Sequence, residues 1–182
     1  IYHRALGVRR YRISVSTEGG HSWGNYGRPS AIHELAALIN KLTSIELPVV
    51  PRTTLNVGTI SGGFSVNTIA AEASCELDLR SESDKALAEL VRETLALIAL
   101  ANKPNIKVVA EEIGSRPAGE IPVSHPLVKL AEQSLIKEGI EPILVISSTD
   151  ANIPLSRGYP AICLGVSTGG GAHTLQEYID TG

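Results

Sequence analysis

The chain has 182 residues, enough to bury a core in one domain or two small ones. Charged residues make up 19% and the net charge is −3, so no basic excess points to nucleic acid. No run of 18 apolar residues marks a membrane span, and no charged-then-apolar leader opens the chain.

In chain order, residues 8–17 alternate, with Tyr11, Ile13 and Val15 on one side and Arg10, Arg12 and Ser14 on the other. This spacing predicts a half-buried strand. Pro29 opens a predicted helix to about residue 43, with Ile32, Leu35, Ala36, Ile39 and Leu42 at helical spacing. Ile45 to Pro51, holding two prolines, reads as a connector. Residues 53–60 predict a strand, Gly62-Gly63 a turn, and Thr68 to Arg80 a long alternating strand. In it, Ala73, Cys75, Leu77 and Leu79 face inward; Ser74, Glu76, Asp78 and Arg80 face outward. Ser83 or Asp84 can cap a helix carrying Leu87, Leu90, Val91, Leu95 and Ile98, and residues 106–113 close the series as a strand. The order β-α-β-β-α-β predicts an α+β fold: one antiparallel sheet with two helices on one face.

After Pro117 the texture changes. His125-Pro126 opens a predicted helix ended by Gly139. Two apolar runs, Ile143 to Ile146 and Ala161 to Val166, flank a short helix with Asp150 as its expected cap. Apolar strands alternating with helices predict a parallel sheet of an α/β domain. Thr174 and Glu177 have the spacing of a capping box, which predicts a helix just after His173. Cys75 and Cys163 lie in apolar strand-like runs, as buried thiols of a reducing cytoplasm would. With no methionine, the chain reads as a piece of a longer protein.

Five histidines are candidates for chemistry: His3, His21, His33, His125 and His173. None stands in H-x-D, and His33-Glu34 lacks the second histidine of a zinc helix. His21 follows Gly19-Gly20, and His173 follows the run Gly169 to Gly171. Glu111 and Glu112 are neighbours on a strand and point to opposite faces, so they do not form an acid/base pair. Gly165-Val-Ser-Thr-Gly169 matches G-x-S-x-G, but no acid lies between Ser167 and His173 and more glycines follow, which disfavours a nucleophile elbow. Arg80 shares a face with Asp78 and Glu76; it reads either as a cross-strand ion pair or as a fork for a substrate carboxylate.

The phrases GGHSWGNYGRPSAIHELA, TTLNVGTISGGFSVNTIAAEASCELDLRSE, SSTDANIPLSRGYPAICLG and GGGAHTLQEYI, in that order, resemble the M20 family of zinc peptidases. The resemblance implies a βαββαβ lid, which dimerises, over residues 8–117. Residues 120–182 would be the C-terminal segment of the catalytic α/β zinc-peptidase domain. It implies His173 as a zinc ligand and His21 as the lid histidine that reaches the partner's site and stabilises the oxyanion. Asn67 would also reach the substrate, Arg80 would bind a substrate carboxylate, and Gly169 and Gly170 would line the substrate site.

The family's H-x-D ligand, bridging aspartate and Glu-Glu pair have no counterpart in this chain. The resemblance therefore implies a piece of a cytoplasmic, homodimeric dizinc peptidase acting on di- and tripeptides, the piece itself inactive and holding at most part of a zinc site. Within the family the alternatives are an N-acyl amino-acid deacylase or a carboxypeptidase; outside it, a non-catalytic dimerisation module.

Overall fold

The computed structural model describes residues 1–165, 167–172 and 174–181. The chain divides into two compact units, one of residues 6–118 and one joining residues 1–5 to residues from 119 onward. β1 (Tyr2–Ala5) belongs to the latter.

The 6–118 unit runs β2 (Gly7–Thr17), β3 (Gly20–His21), α1 (Ala31–Thr43), β4 (Thr53–Gly62), β5 (Thr68–Ile69), β6 (Glu72–Ser81), α2 (Asp84–Ala101) and β7 (Ile106–Arg116). Its four long strands form an antiparallel sheet in the order β4-β6-β2-β7. This is the α+β arrangement expected from the alternating patterns. Successive side chains of a strand face opposite ways. Tyr11, Ile13 and Val15 of β2 and Ala73, Cys75, Leu77 and Leu79 of β6 are therefore buried together. On the other face Arg10 donates to Asp78 at 2.7 Å and Arg12 to Glu76 at 2.9 Å.

The helices cover the apolar face. α1 buries Ala31, Leu35, Leu38 and Leu42, and α2 buries Leu87, Leu90, Thr94 and Ile98. The α1 stripe is rotated from the expected one: Ile32 is 40% exposed, and Ala36 is exposed as well. Ser83 caps α2, its hydroxyl accepting the Ala86 amide at 3.4 Å. Ile13, Leu35 and Leu79 are 0% exposed. Truncating any of them to alanine would cost about 2–5 kcal/mol, because the close-packed surroundings refill the cavity only in part.

The strand expected over residues 68–80 is broken. The Ala70 carbonyl accepts the Ala31 amide at 2.8 Å and the Thr17 hydroxyl at 3.0 Å, and the Ala71 carbonyl accepts the Thr17 amide at 2.8 Å. These bonds tie the start of α1 and the end of β2 to the break. They leave β5 to pair with β3 instead, His21 opposite Thr68.

In the other unit, β1 lies between β8 (Gly119–Glu120), which is antiparallel to it, and β9 (Val145–Ser147), which is parallel. The sheet is mixed rather than parallel throughout. α3 (Pro126–Lys137) is capped by His125, whose Nδ1 accepts the Leu127 amide at 3.1 Å. α4 (Asn152–Ser156) starts after Ala151 and not at Asp150; Asn152 Oδ1 accepts the Thr149 amide at 2.7 Å and so closes the turn before it. The run beginning at Ala161 forms no strand among its described residues and touches the sheet through a single bridge, Cys163 to Tyr2. Cys163 is half-buried, unlike Cys75.

The expected helix after residue 173 is replaced by a turn and a short ribbon. Thr174 donates its hydroxyl to the Gly171 carbonyl at 2.7 Å and accepts the Gln176 amide at 3.2 Å. A hydroxyl that satisfies its own turn favours the turn over a helix. β10 (Gly169–Gly170) then pairs antiparallel with β11 (Tyr178–Ile179).

Candidate functional site

His21 and Asn67, 46 positions apart in the sequence, meet at one end of the 6–118 unit. The Ser22 amide donates to the Asn67 carbonyl at 3.0 Å, next to the His21–Thr68 pair. Asn67 Oδ1 accepts the Ser65 hydroxyl at 2.7 Å. Both His21 and Asn67 are exposed.

The glycines before His21 have a steric reason. Gly19 has φ +70 and Gly20 φ +148, both in the region disfavoured for residues with a Cβ. A Cβ on Gly20 would lie 2.8 Å from Asn25 Oδ1. The Asn25 side chain occupies that space and accepts the His21 amide at 2.9 Å. The loops carrying His21 and Asn67 also expose Trp23 (88%), Tyr26 (90%), Phe64 (96%) and Val66 (101%). Hydrophobic periodicity does not mark these residues; they lie on two separate loops that only the β3–β5 pairing joins.

Arg80 is not on these loops. It sits near the far end of β6, roughly 26 Å along the strand from Glu72 at about 3.3 Å per residue. Its Nε donates to Asp78 Oδ2 at 2.5 Å. Burial alone would raise the Asp78 pKa, but hydrogen bonds from Arg10 and Arg80 outweigh it and hold the carboxyl below its ordinary value. The ion pair of Arg80 thus runs along its own strand rather than across strands, the cross-strand partner of Asp78 being Arg10, and a carboxylate ligand would have to share the Arg80 guanidinium with Asp78.

In the other unit, Gly169 and Gly170 form β10. A Cβ on Gly169 would meet the Tyr178 carbonyl at 2.5 Å, and one on Gly170 the Tyr178 ring at 2.9 Å. Glycine is needed there for close ribbon packing. His173, the expected zinc ligand, lies outside the described residues. Among the described residues no three His, Cys, Asp or Glu side chains gather to hold a metal ion, so these residues alone do not fit a zinc centre. His3 and His125 are structural: His3 Nδ1 hydrogen-bonds the Ile121 carbonyl at 2.8 Å in a buried position, and His125 caps α3.

The antiparallel sheet and its two covering helices define the class, an α+β sandwich domain. The sequence profile of the peptidase dimerisation domain of the M20 family matches residues 5–105. The chain belongs to the M20 family. An acetylornithine deacetylase of Erwinia tasmaniensis is 32% identical over 182 residues, covering 93% of this chain and 46% of that protein. An acetylornithine deacetylase of Klebsiella pneumoniae is 30% identical, covering 82% of this chain and 39% of that protein. Among solved structures, a tripeptidase from Staphylococcus aureus superposes with a TM-score of 0.76 at 25% identity, covering 97% of this chain and 47% of that chain. Aminopeptidase PepT from Bacillus cereus shares the fold with a TM-score of 0.74 at 21% identity, covering 97% and 48% of the respective chains. The chain thus spans about half the length of the relatives it matches. No helix among the described residues is long and apolar enough to cross a membrane.

Proposed function

We propose that this chain is the lid and the C-terminal catalytic segment of a cytoplasmic, homodimeric, zinc-dependent hydrolase that cleaves amide bonds in small peptides. Residues 8–117 are the lid and residues 120–182 the catalytic segment. The observation that supports this reading is that the β3–β5 pairing, His21 opposite Thr68 with the Ser22 amide bonded to the Asn67 carbonyl, brings exposed His21 and Asn67 onto neighbouring loops of an M20 dimerisation fold. The same two loops leave Trp23, Tyr26 and Phe64 largely exposed, apolar surface of the kind that a partner covers.

In this reading His21 donates a hydrogen bond to the oxygen of the scissile carbonyl in the partner's site as negative charge develops there. Asn67 holds the substrate beside it. Arg80 binds the substrate carboxylate, Gly169 and Gly170 line the substrate, and His173 is a zinc ligand; these roles, like those of His21 and Asn67, rest on the resemblance. The remaining ligands of the zincs and the base that activates water come from outside these residues. When bound, the metal supplies an activated water and polarises the carbonyl.

The second copy is held through β4. Its run Thr53–Gly62 carries no charged residue, whereas the opposite edge, β7, carries Lys107, Glu111, Glu112 and Arg116. Charges on an edge strand oppose strand addition; an uncharged edge permits it. The exposed Ile32 of α1 and Ile60 of β4 add apolar surface on the same side of the unit.

Removal of an N-acyl group from an amino acid is the second reading, favoured by the identity to acetylornithine deacetylases. Both are tested by offering the whole protein a panel of di- and tripeptides and N-acyl amino acids, with chelator and zinc add-back. Peptide cleavage that chelator abolishes and zinc restores supports the first reading. Cleavage of N-acyl amino acids alone selects the second. Zinc-independent inertness toward both would leave a dimerisation module without catalysis.

A further inference from the structure

We infer that Asn25 is a positioning residue which fixes the His21 imidazole in one tautomer, with its proton on Nε2 directed out of the lid. The inference deepens the proposed oxyanion role of His21 and rests on it for its catalytic meaning.

Two backbone amides converge on one ring nitrogen. Trp23 N lies 3.2 Å and Gly24 N 3.3 Å from His21 Nδ1. A backbone N–H can only donate, so Nδ1 must accept. A neutral imidazole carries one proton, and with Nδ1 accepting, that proton is on Nε2. Nε2 engages no partner among the described residues, and the side chain is exposed. The lid therefore presents an N–H donor in a set direction.

The turn that aims these amides is closed twice by the same residue. Asn25 Oδ1 accepts the His21 amide at 2.9 Å, and the Asn25 amide donates to the His21 carbonyl at 2.9 Å. The residues between them, Ser22 to Gly24, are held in a tight loop around the ring. Gly20 leaves room for the Asn25 side chain, and the Ser22 amide anchors the loop to Asn67. Asn25 is half-buried while its neighbours Gly24 and Tyr26 are exposed, as a residue that braces a loop from beneath would be. A donor that is already oriented loses little freedom when charge appears on the substrate oxygen.

The experiment is two-bond nitrogen–proton correlation spectroscopy of protein labelled with 15N-histidine, at a pH where His21 is neutral. Wild type, Asn25→Ala and Asn25→Asp are compared, with His21→Ala to assign the signal. The proposal expects wild-type His21 to show a protonated Nε2 and an unprotonated Nδ1. Asn25→Ala should give averaged, mixed-tautomer shifts, and Asn25→Asp, which keeps the acceptor oxygen, should restore the wild-type pattern. In the whole protein Asn25→Ala should lower kcat on the order of tenfold with KM and zinc content unchanged. A proton on Nδ1 in wild type, or an unaltered pattern in Asn25→Ala, would overturn the proposal. A fixed Nε2 proton in a protein whose activity ignores His21→Ala would instead overturn the oxyanion role and leave the tautomer assignment standing.

Discussion

The Ser22 amide donates to the Asn67 carbonyl at 3.0 Å, joining the loop after His21 to the loop before β5. This bond and the His21–Thr68 pair make one edge from two segments. Replacing Asn67 by alanine leaves the backbone bond intact and removes only the amide side chain. We expect Asn67→Ala in the whole protein to lower kcat/KM by about tenfold, the cost of one substrate hydrogen bond, while the circular-dichroism spectrum and zinc content are unchanged. Steady-state kinetics on the preferred substrate checks this.

In the proposed dimer the second copy adds to the β4 edge. Ile60→Glu places two like charges near each other across a two-fold interface, where Ile60 is 62% exposed in one copy. The dimer dissociation constant should rise by at least about tenfold, equivalent to roughly 1.4 kcal/mol. Val109→Glu, on the opposite edge, should leave it unchanged. Sedimentation velocity across a concentration series distinguishes the two.

Much of this arrangement is legible in the sequence. The alternation of Arg10 to Val15 and of Ala73 to Arg80 gives the sheet, since period two marks a face whatever the neighbours are. The phase of α1 is less legible, because Ala36 and Leu38 differ little in what periodicity can register; packing against β2 and β6 selects Leu38. The break at Ala70-Ala71 is invisible in composition, since alanine fits a strand or a bend, and the bonds that bend it come from Thr17 and Ala31, far away in sequence. The same holds for Thr174, whose spacing to Glu177 suits a capping box, while its hydroxyl closes a local turn. His21 is legible from its glycines; Asn25 is not, because its role appears only once the loop is closed.

Asp78 sits between Arg10 at 2.7 Å and Arg80 at 2.5 Å, and its pKa is lowered in the folded chain. A carboxyl with a depressed folded pKa stabilises the fold above its unfolded value, near about 4, and loses that contribution as pH falls through the folded value. Asp78→Asn should therefore cost roughly 1 kcal/mol at neutral pH, a modest figure because both guanidinium groups are substantially exposed. The gap from wild type should close as pH drops below about 4. Urea denaturation at a series of pH values measures it.

Burial pushes the Cys75 thiol up to about 11. With the side chain 1% exposed, a thiol-alkylating reagent at pH near neutrality should leave Cys75 unmodified until the sheet unfolds. Half-buried Cys163 should react first. Peptide mapping after timed alkylation, with and without denaturant, gives the order; early modification of Cys75 would mean that the sheet opens locally in the native state.

The most direct test of the lid's role is the turnover number of the whole protein with His21→Ala, measured together with bound zinc and dimer content. The account predicts a fall in kcat of about 10², the loss of one oxyanion donor, with zinc and dimer retained. An unchanged kcat would contradict it, and zinc loss on this substitution would show that His21 serves the metal rather than the oxyanion.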